Sequence, residues 1–440
     1  MSSGKIQSIR GMGDVLPIAQ QPFIYQSAHW VWLKREFASW CELHGYQYVE
    51  TPVVEELELF KRTSGETSDI VGKEMYLVKR SSGDGGGEEL SLALRPEGSA
   101  GVCRAVVEHG LAKNAAGLKF YYIAPMFRSE RPQRGRYRQH TQLGAEIFKE
   151  ASAAADVEMI AMLAGFYKRI GLGDVTVKIN SVGDGECRPR YREKLIQFLE
   201  QFKDRMSEDS RNRMHVNPMR ALDSKDENDR KLFADAPTIL DHLNQECIDH
   251  FEEVKQGLTK LEINFEVNPR LVRGLDYYTK TAFEFECNTL EGAIKVIGGG
   301  GRYDGLVAQL GGPSTPGVGF GTSIERTLLA LESQKVAIPA FPTPRVMVAY
   351  MDSGVKFDAF KIVEAFRAQD IHTDFLYQAK NLGKQMKHAA ELGVEYVVMV
   401  GGEEWERGDV RVKNFKTQEQ SDIPKDSAVQ YVRGRLAGKL

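Results

Sequence analysis

No apolar stretch in this sequence approaches the roughly 20 residues a helix needs to cross a bilayer, so a transmembrane helix is excluded. The opening MSSGKIQSIRG has no apolar signal region and reads as a short lead-in. Cysteine is sparse and unpatterned: Cys41, Cys103, Cys187, Cys247 and Cys287 are odd in number and never spaced as C-x-x-C. That argues against a disulfide framework and against a structural zinc site, and it points to a reducing, cytoplasmic setting. No excess of one charge exists either, with 58 Lys and Arg against 61 Asp and Glu. Any nucleic-acid contact must therefore rest on locally concentrated positive charge. The nine histidines lack metal-ligand spacing, and no G-x-x-x-x-G-K-[ST] phosphate loop occurs. No internal repeat is visible, and the one low-complexity patch, SSGDGGG at 81–87, reads as a hairpin tip.

What is present suffices for a sizeable core: 440 residues, 42% hydrophobic and 27% charged, fit two or three domains. Over 22–44, Trp30, Leu33, Phe37, Trp40 and Cys41 share one helical stripe, and Gly45 stops it. A short strand at 46–50 runs into Thr51 and Pro52. From 119 to 148 the period is two, broken by an arginine-rich stretch containing Pro132 and Gly135, which predicts two antiparallel strands and a long loop. Residues 184–255 carry mixed charge in helical phasing and read as a helical insertion. A strand is expected at 281–287. Two glycine-rich segments follow, GGGGRYDGL (298–306) and GGPSTPGVGFG (311–321), and then a helix from Ser323. The first glycine run lacks dinucleotide-fingerprint spacing and is expected to approach a ligand closely with its backbone. The linker IPAFPTP (338–344) marks a boundary, beyond which strand and helix patterns alternate as in a compact α/β domain.

Positive charge concentrates in one place. Arg128, Arg131, Arg134, Arg136 and Arg138 meet a single acid, Glu130, although composition alone also allows a solvated hairpin tip. The next strand, RQHTQLGAEIF, places Thr141, Leu143, Ala145 and Ile147 on one face and Arg138, His140, Gln142 and Glu146 on the other. A half-buried strand with a wet polar side has the same pattern. The opposing stretch KFYYIAPMFR tilts the reading, being almost wholly apolar like a strand covered on both faces. A polar row inside a covered sheet is costly unless it faces a ligand. The polar face is thus expected to line a pocket.

Several segments carry a family resemblance. FRSERPQRGRYRQHTQLGAE, GVGFGTSIERTLL and the helix leading into HGYQYVETP resemble the second, third and first motifs of class II aminoacyl-tRNA synthetases. LVRGLDYY (271–278), GGGRYDGL (299–306) and LALRPEGSAG (92–101) narrow this, and nearly end to end the chain resembles the histidyl-tRNA synthetases. The H-I-G-H and K-M-S-K-S signatures of class I enzymes are missing.

The resemblance implies an α+β catalytic domain over 1–335, built on an antiparallel sheet with flanking helices and carrying the 184–255 insertion. An α/β anticodon-binding domain would follow over 343–440. It further implies ATP-dependent ligation of L-histidine to tRNA(His) through a histidyl-adenylate. Two anions meet in that reaction, and planar guanidinium groups suit both. Arg128 and Arg273 would clamp the α-phosphate and carboxylate, while Arg326 would hold the γ-phosphate. Glu130 and His140 would serve the rest of the nucleotide. Glu97 would take the α-ammonium, Glu146 and Tyr278 the ring nitrogens, and Ser99, Gln142, Tyr277 and Tyr303 would complete the histidine pocket. Arg131 and Gln133 would read the tRNA acceptor end. Mg2+ would be held mainly through ATP phosphates, and a homodimer would form around the first-motif helix and Pro52. The chain departs from the family pattern at His140 (usually phenylalanine), Ser99 (threonine), Ser323 (glycine) and Lys149 (glycine). Competing readings are a non-catalytic regulatory paralogue of histidine biosynthesis, which typically lacks the C-terminal domain, or a class II enzyme for proline, threonine or glycine.

Overall fold

The computed structural model describes residues 5–18, 20–65, 70–79, 91–114, 117–216, 218–222, 224, 226–272, 274–275, 277–340, 342–378 and 381–438. The chain divides into two compact units, Met1–Pro339 and Ala340–Leu440. Among the described residues no helix is long and apolar enough to cross a membrane. The low-complexity patch at 81–87 lies outside the described residues.

In the first unit the helix Ser27–Leu43 buries Leu33, Phe37 and Cys41 completely, with Trp30 and Trp40 packed at its margins. It ends where expected, with Gly45 at φ +79°. The strand after it is shorter than the sequence suggests: β1 (Gln47–Tyr48) makes two parallel pairs at a sheet edge. A small antiparallel sheet follows, made of β2 (Val54–Glu56), β3 (Leu77–Val78) and β4 (Leu92–Leu94).

The central sheet adds β5 (Leu118–Phe127), β6 (Gln139–Phe148), β7 (Val175–Ser181), β8 (Phe265–Val267), β9 (Thr279–Cys287), β10 (Val296–Arg302) and β11 (Gly317–Ser323). Its order is β1-β5-β6-β11-β10-β9-β7-β8, antiparallel apart from the edge pairs β1–β5 and β7–β8. One face packs Leu143, Ala145, Ile147, Phe283, Phe285 and Phe320 under the helices Ser27–Leu43 and Ala153–Arg169. Phe37 meets Phe166 edge-on at 5.2 Å there. The opposite face carries Tyr122, Tyr277, Tyr278 and Tyr303 beside the helix Ser99–Glu108. The insertion is helical, running between β7 and β8 from Cys187–Glu200 to Gln245–Lys260 around its own small core.

Two expectations change. The glycine run at 298–301 is strand β10, and its bare backbone accommodates a neighbour: a Cβ on Gly300 would stand 2.0 Å from the carbonyl oxygen of Gly319. The stretch opposing β6 is not apolar throughout, because Tyr122 turns its hydroxyl to the polar side.

The second unit holds a five-stranded sheet, β12 (Val346–Tyr350), β13 (Thr373–Phe375), β14 (Tyr396–Val400), β15 (Asp409–Asn414) and β16 (Gln420–Pro424), in the order β13-β12-β14-β15-β16. The first three strands are parallel, and the last two, absent from the sequence reading, add on antiparallel. The helices Lys356–Arg367, Leu382–Leu392 and Ala428–Leu436 accompany them.

Candidate active site

The polar row of β6 and the glycine-rich β11 are paired in register, with Gly319 opposite Glu146 and Gly321 opposite Gly144. A Cβ on Gly319 would lie 1.6 Å from Glu146 Oε2, and one on Gly321 2.1 Å from Gln142 Nε2. Only side-chain-free positions let these two groups lie back across the neighbouring strand.

Glu146 is wholly buried. Ser99 Oγ donates to its Oε1 at 2.6 Å and the Tyr122 hydroxyl to the same oxygen at 3.3 Å, while the Tyr303 hydroxyl donates to Oε2. Gln142 Nε2 extends the chain by donating to Tyr122 OH at 2.9 Å. Burial pushes the Glu146 carboxyl up to about 8; the hydroxyl donors oppose this, and the nearby Glu97 charge adds to it.

Glu97 is also buried, and its carboxylate accepts the Ser99 N–H at 2.7 Å and the Ala100 N–H at 2.8 Å, the first amides of the helix Ser99–Glu108. Burial raises its carboxyl, against those two amides and the charge of Arg128. Arg128 in turn donates from Nε to Pro96 O at 3.0 Å, which ties the end of β5 to the turn carrying Glu97.

Three buried tyrosines adjoin this cluster. The Tyr277 and Tyr278 rings are 4.7 Å apart, and Tyr277 meets Tyr303 near-perpendicularly at 5.6 Å. Tyr277 and Tyr278 are adjacent in sequence. They lie side by side because the segment is a turn ahead of β9, where strand alternation does not apply. Arg273, in the same segment, lies outside the described residues.

His140, half-buried on β6, faces the cations. Burial pushes its imidazole down to about 3, and the charges of Arg128 and Arg326 act in the same direction, so the ring is neutral at physiological pH. Arg326 sits in the first turn of the helix Ile324–Ser333 and donates to Gly135 O at 2.8 Å and Val296 O at 2.7 Å. The loop between β5 and β6 turns at Gly135, with Gln133 and Arg136 exchanging backbone hydrogen bonds. Glu130 stands 3.5 Å from Arg136, half-buried, while Arg131 and Gln133 are exposed. The structure thus joins Glu97, Ser99, Gln142, Glu146 and Tyr303, adds Tyr277 and Tyr278 by ring contact, and couples Arg128, His140 and Arg326 by charge. Arg131 and Gln133 stand apart on the exposed loop.

The family model described as histidyl-tRNA synthetase matches residues 23–327. The chain belongs to the histidyl-tRNA synthetase family. A model described as an anticodon binding domain matches residues 345–435. The chain is 40% identical over 430 residues to the histidine--tRNA ligase of Dehalococcoides mccartyi, covering 98% of this chain and 100% of that protein. It is 41% identical to that of Pelotomaculum thermopropionicum, covering 98% of each. Among solved structures, apo histidyl-tRNA synthetase from S. aureus matches with a TM-score of 0.79 and 34% identity over 97% of this chain and 99% of that one.

In this synthetase, three of the four positions named above as departures have a definite local setting. Ser99 supplies the hydroxyl closest to Glu146 Oε1. Ser323 caps the helix Ile324–Ser333 by accepting the Arg326 N–H, and it donates to Glu325 at 2.8 Å. Lys149 occupies φ +72°, the left-handed region that glycine enters without strain. Three contributors escaped the sequence reading. Tyr122 bridges Gln142 and Glu146. Glu325, buried and pushed up to about 7 by that burial, accepts the Thr141 N–H at 2.9 and 3.2 Å beside His140. Arg302 and Asp156 form a fully buried ion pair at the base of Tyr303. Register would have flagged Tyr122, which stands opposite Gly144 in the hairpin.

Proposed function

We infer that this protein ligates L-histidine to tRNA(His) with ATP, forming a histidyl-adenylate and releasing pyrophosphate and then AMP. The observation that carries the assignment of residues is the buried Glu146 carboxylate. A carboxylate offers about four acceptor positions. Two hydroxyls use Oε1 and one uses Oε2, which leaves acceptor capacity on Oε2 for an imidazole N–H. Neutral histidine presents one N–H and one lone-pair nitrogen, and Tyr278 is suited to donate to the second. Glu97 takes the α-ammonium, and Ser99, Gln142, Tyr277 and Tyr303 shape the remainder. A ligand without the N–H would leave this carboxylate unmatched in a dry site, so aliphatic amino acids are rejected.

For activation, the histidine carboxylate attacks the α-phosphate of ATP and pyrophosphate departs. Arg128 and Arg273 neutralise the reacting anions. Arg326 holds the γ-phosphate, with Glu130 and His140 against the rest of the nucleotide. Neutrality suits His140 to stacking, because a second cation at adenine would repel Arg128 and Arg326. Mg2+ supplies charge neutralisation of the triphosphate. Such a cation would be held chiefly by phosphate oxygens. A terminal ribose hydroxyl of the tRNA then attacks the adenylate carbonyl, with Arg131 and Gln133 on the acceptor end and the Ala340–Leu440 unit on the anticodon. Exposed Phe357 and Tyr377 in that unit offer stacking surfaces for unpaired bases.

The protein works in the cytoplasm as a homodimer; exposed Leu43, Tyr48, Val53 and Val54 beside Pro52 supply apolar surface for the contact. A monomeric mass by light scattering at micromolar concentration overturns the dimer. Intact Glu97, Arg128 and Arg326 and the presence of the second unit speak against a regulatory paralogue. Histidine-dependent exchange of labelled pyrophosphate into ATP, run across the twenty amino acids, tests the function. Exchange with proline, threonine or glycine, or none with histidine, sinks it.

A further inference from the structure

Two cysteines 60 residues apart in sequence meet at the base of the helical insertion. Cys187 begins the insertion's first helix, Cys187–Glu200, and Cys247 lies in the first turn of its last, Gln245–Lys260. Both are fully buried and their sulfurs stand 3.8 Å apart. Asp184 brings a third donor, a carboxylate oxygen, so that three ligand atoms lie within 4.8 Å of one another.

That spacing suits a bound cation. Two thiolates, each about 2.3 Å from a tetrahedral zinc ion, stand roughly 3.8 Å apart. A disulfide would hold the sulfurs at about 2.0 Å, well inside the observed separation. Two protonated thiols also pack at the observed distance, but packing does not require a carboxylate converging on both. The surroundings already orient the donors. Asn244 N–H donates to Cys187 Sγ at 3.2 Å, and Asn244 Nδ2 donates to Asp184 Oδ2 at 2.9 Å. Asp184 Oδ1 accepts the N–H groups of Glu186 at 2.9 Å and Cys187 at 3.0 Å. Hydrogen bonds of this kind fix the ligands of metal sites. Asp184 is half-buried, which leaves a side from which water can supply a fourth ligand.

We propose that Asp184, Cys187 and Cys247 bind one thiophilic divalent cation, zinc by preference, that clips the first and last helices of the insertion together. Binding replaces the two thiol protons, which pass to solvent. The clip adjoins the histidine pocket: Val182 shares the tyrosine cluster, and backbone hydrogen bonds Val182–Lys280 and Lys280–Gly183 continue the β7–β9 ladder to the segment after Tyr278.

The test uses the full-length chain purified reduced and metal-free, with Co2+ and Zn2+ as probes. One Co2+ per chain is expected, with a thiolate-to-cobalt charge-transfer band and the strong visible absorption of tetrahedral cobalt, both abolished by Zn2+. Cys187→Ser and Cys247→Ser each roughly halve the band per bound cobalt and weaken Co2+ binding about 100-fold or more, and the two changes together abolish the band, whereas Cys41→Ala, in the core around the helix Ser27–Leu43, changes neither. If the serine variants fail to fold, X-ray absorption of the zinc-loaded wild type decides, with two sulfurs at about 2.3 Å expected. Sub-stoichiometric binding, a shell without sulfur, or a band that survives both serine changes overturns the proposal.

Discussion

At the scale of single residues, Glu146 and Gly319 are inseparable. The carboxylate occupies space that any Cβ on the neighbouring strand would fill, so Gly319→Ala should displace it and reduce pyrophosphate exchange about 10²-fold or more while the protein stays folded. Unchanged exchange would remove Glu146 from the pocket. Protonation provides a second handle. Glu146 and Glu325 have native carboxyls raised to about 8 and about 7, so the folded state holds protons that the unfolded chain has released. Stability conferred below the unfolded carboxylate range is lost as pH rises through those values, giving a decline from roughly pH 5 to 8. Glu146→Gln should flatten the upper part of that decline in urea melts taken across pH, and an identical slope in both proteins would show that Glu146 does not titrate there. Gln142 and Glu146 were legible from alternation taken together with the apolar strand opposite, because a polar row on a covered strand has few explanations. Tyr122 was not, since a tyrosine reads as apolar until the register shows what its hydroxyl reaches.

At the scale of elements, the site depends on where strand ends meet helix starts. Glu325 links the helix Ile324–Ser333 to β6 through the Thr141 N–H, one residue from His140. Glu325→Ala leaves that buried donor without its partner. It should cost about 1–3 kcal/mol of stability and raise the KM for ATP, with the KM for histidine nearly unchanged. A matched rise in both would show that Glu325 supports the whole sheet rather than the nucleotide side. Long, regular elements were readable: the first helix, the β5–β6 hairpin and the helical insertion follow from periodicity. The glycine-rich strands were not, because four glycines in succession carry no side-chain period. β15 and β16 also escaped: DVRVKN does alternate, but its partner QSDIP is mostly polar and marks no hairpin with it. The pairing of Cys187 with Cys247 lay equally out of reach, because no short motif records a contact made across a whole insertion.

At the scale of the whole molecule, the two compact units have separate cores, so their contributions should separate in experiment. Phe357→Ala and Tyr377→Ala are expected to weaken tRNA(His) binding by about 1–3 kcal/mol per lost stack and leave pyrophosphate exchange intact. If exchange falls in parallel, the second unit does more than hold tRNA. The family was legible in the sequence because several separated segments stand in the right order; the arrangement of hydroxyls around Glu146 needed coordinates. One consequence of that arrangement concerns heat. A carboxyl still largely protonated near neutrality must give up its hydrogen to accept a histidine N–H, and the solution takes up what the pocket expels. Calorimetric titration of histidine at pH 7 should therefore give enthalpies that differ between phosphate and Tris by the difference in their ionisation heats, scaled by the fraction of a proton released.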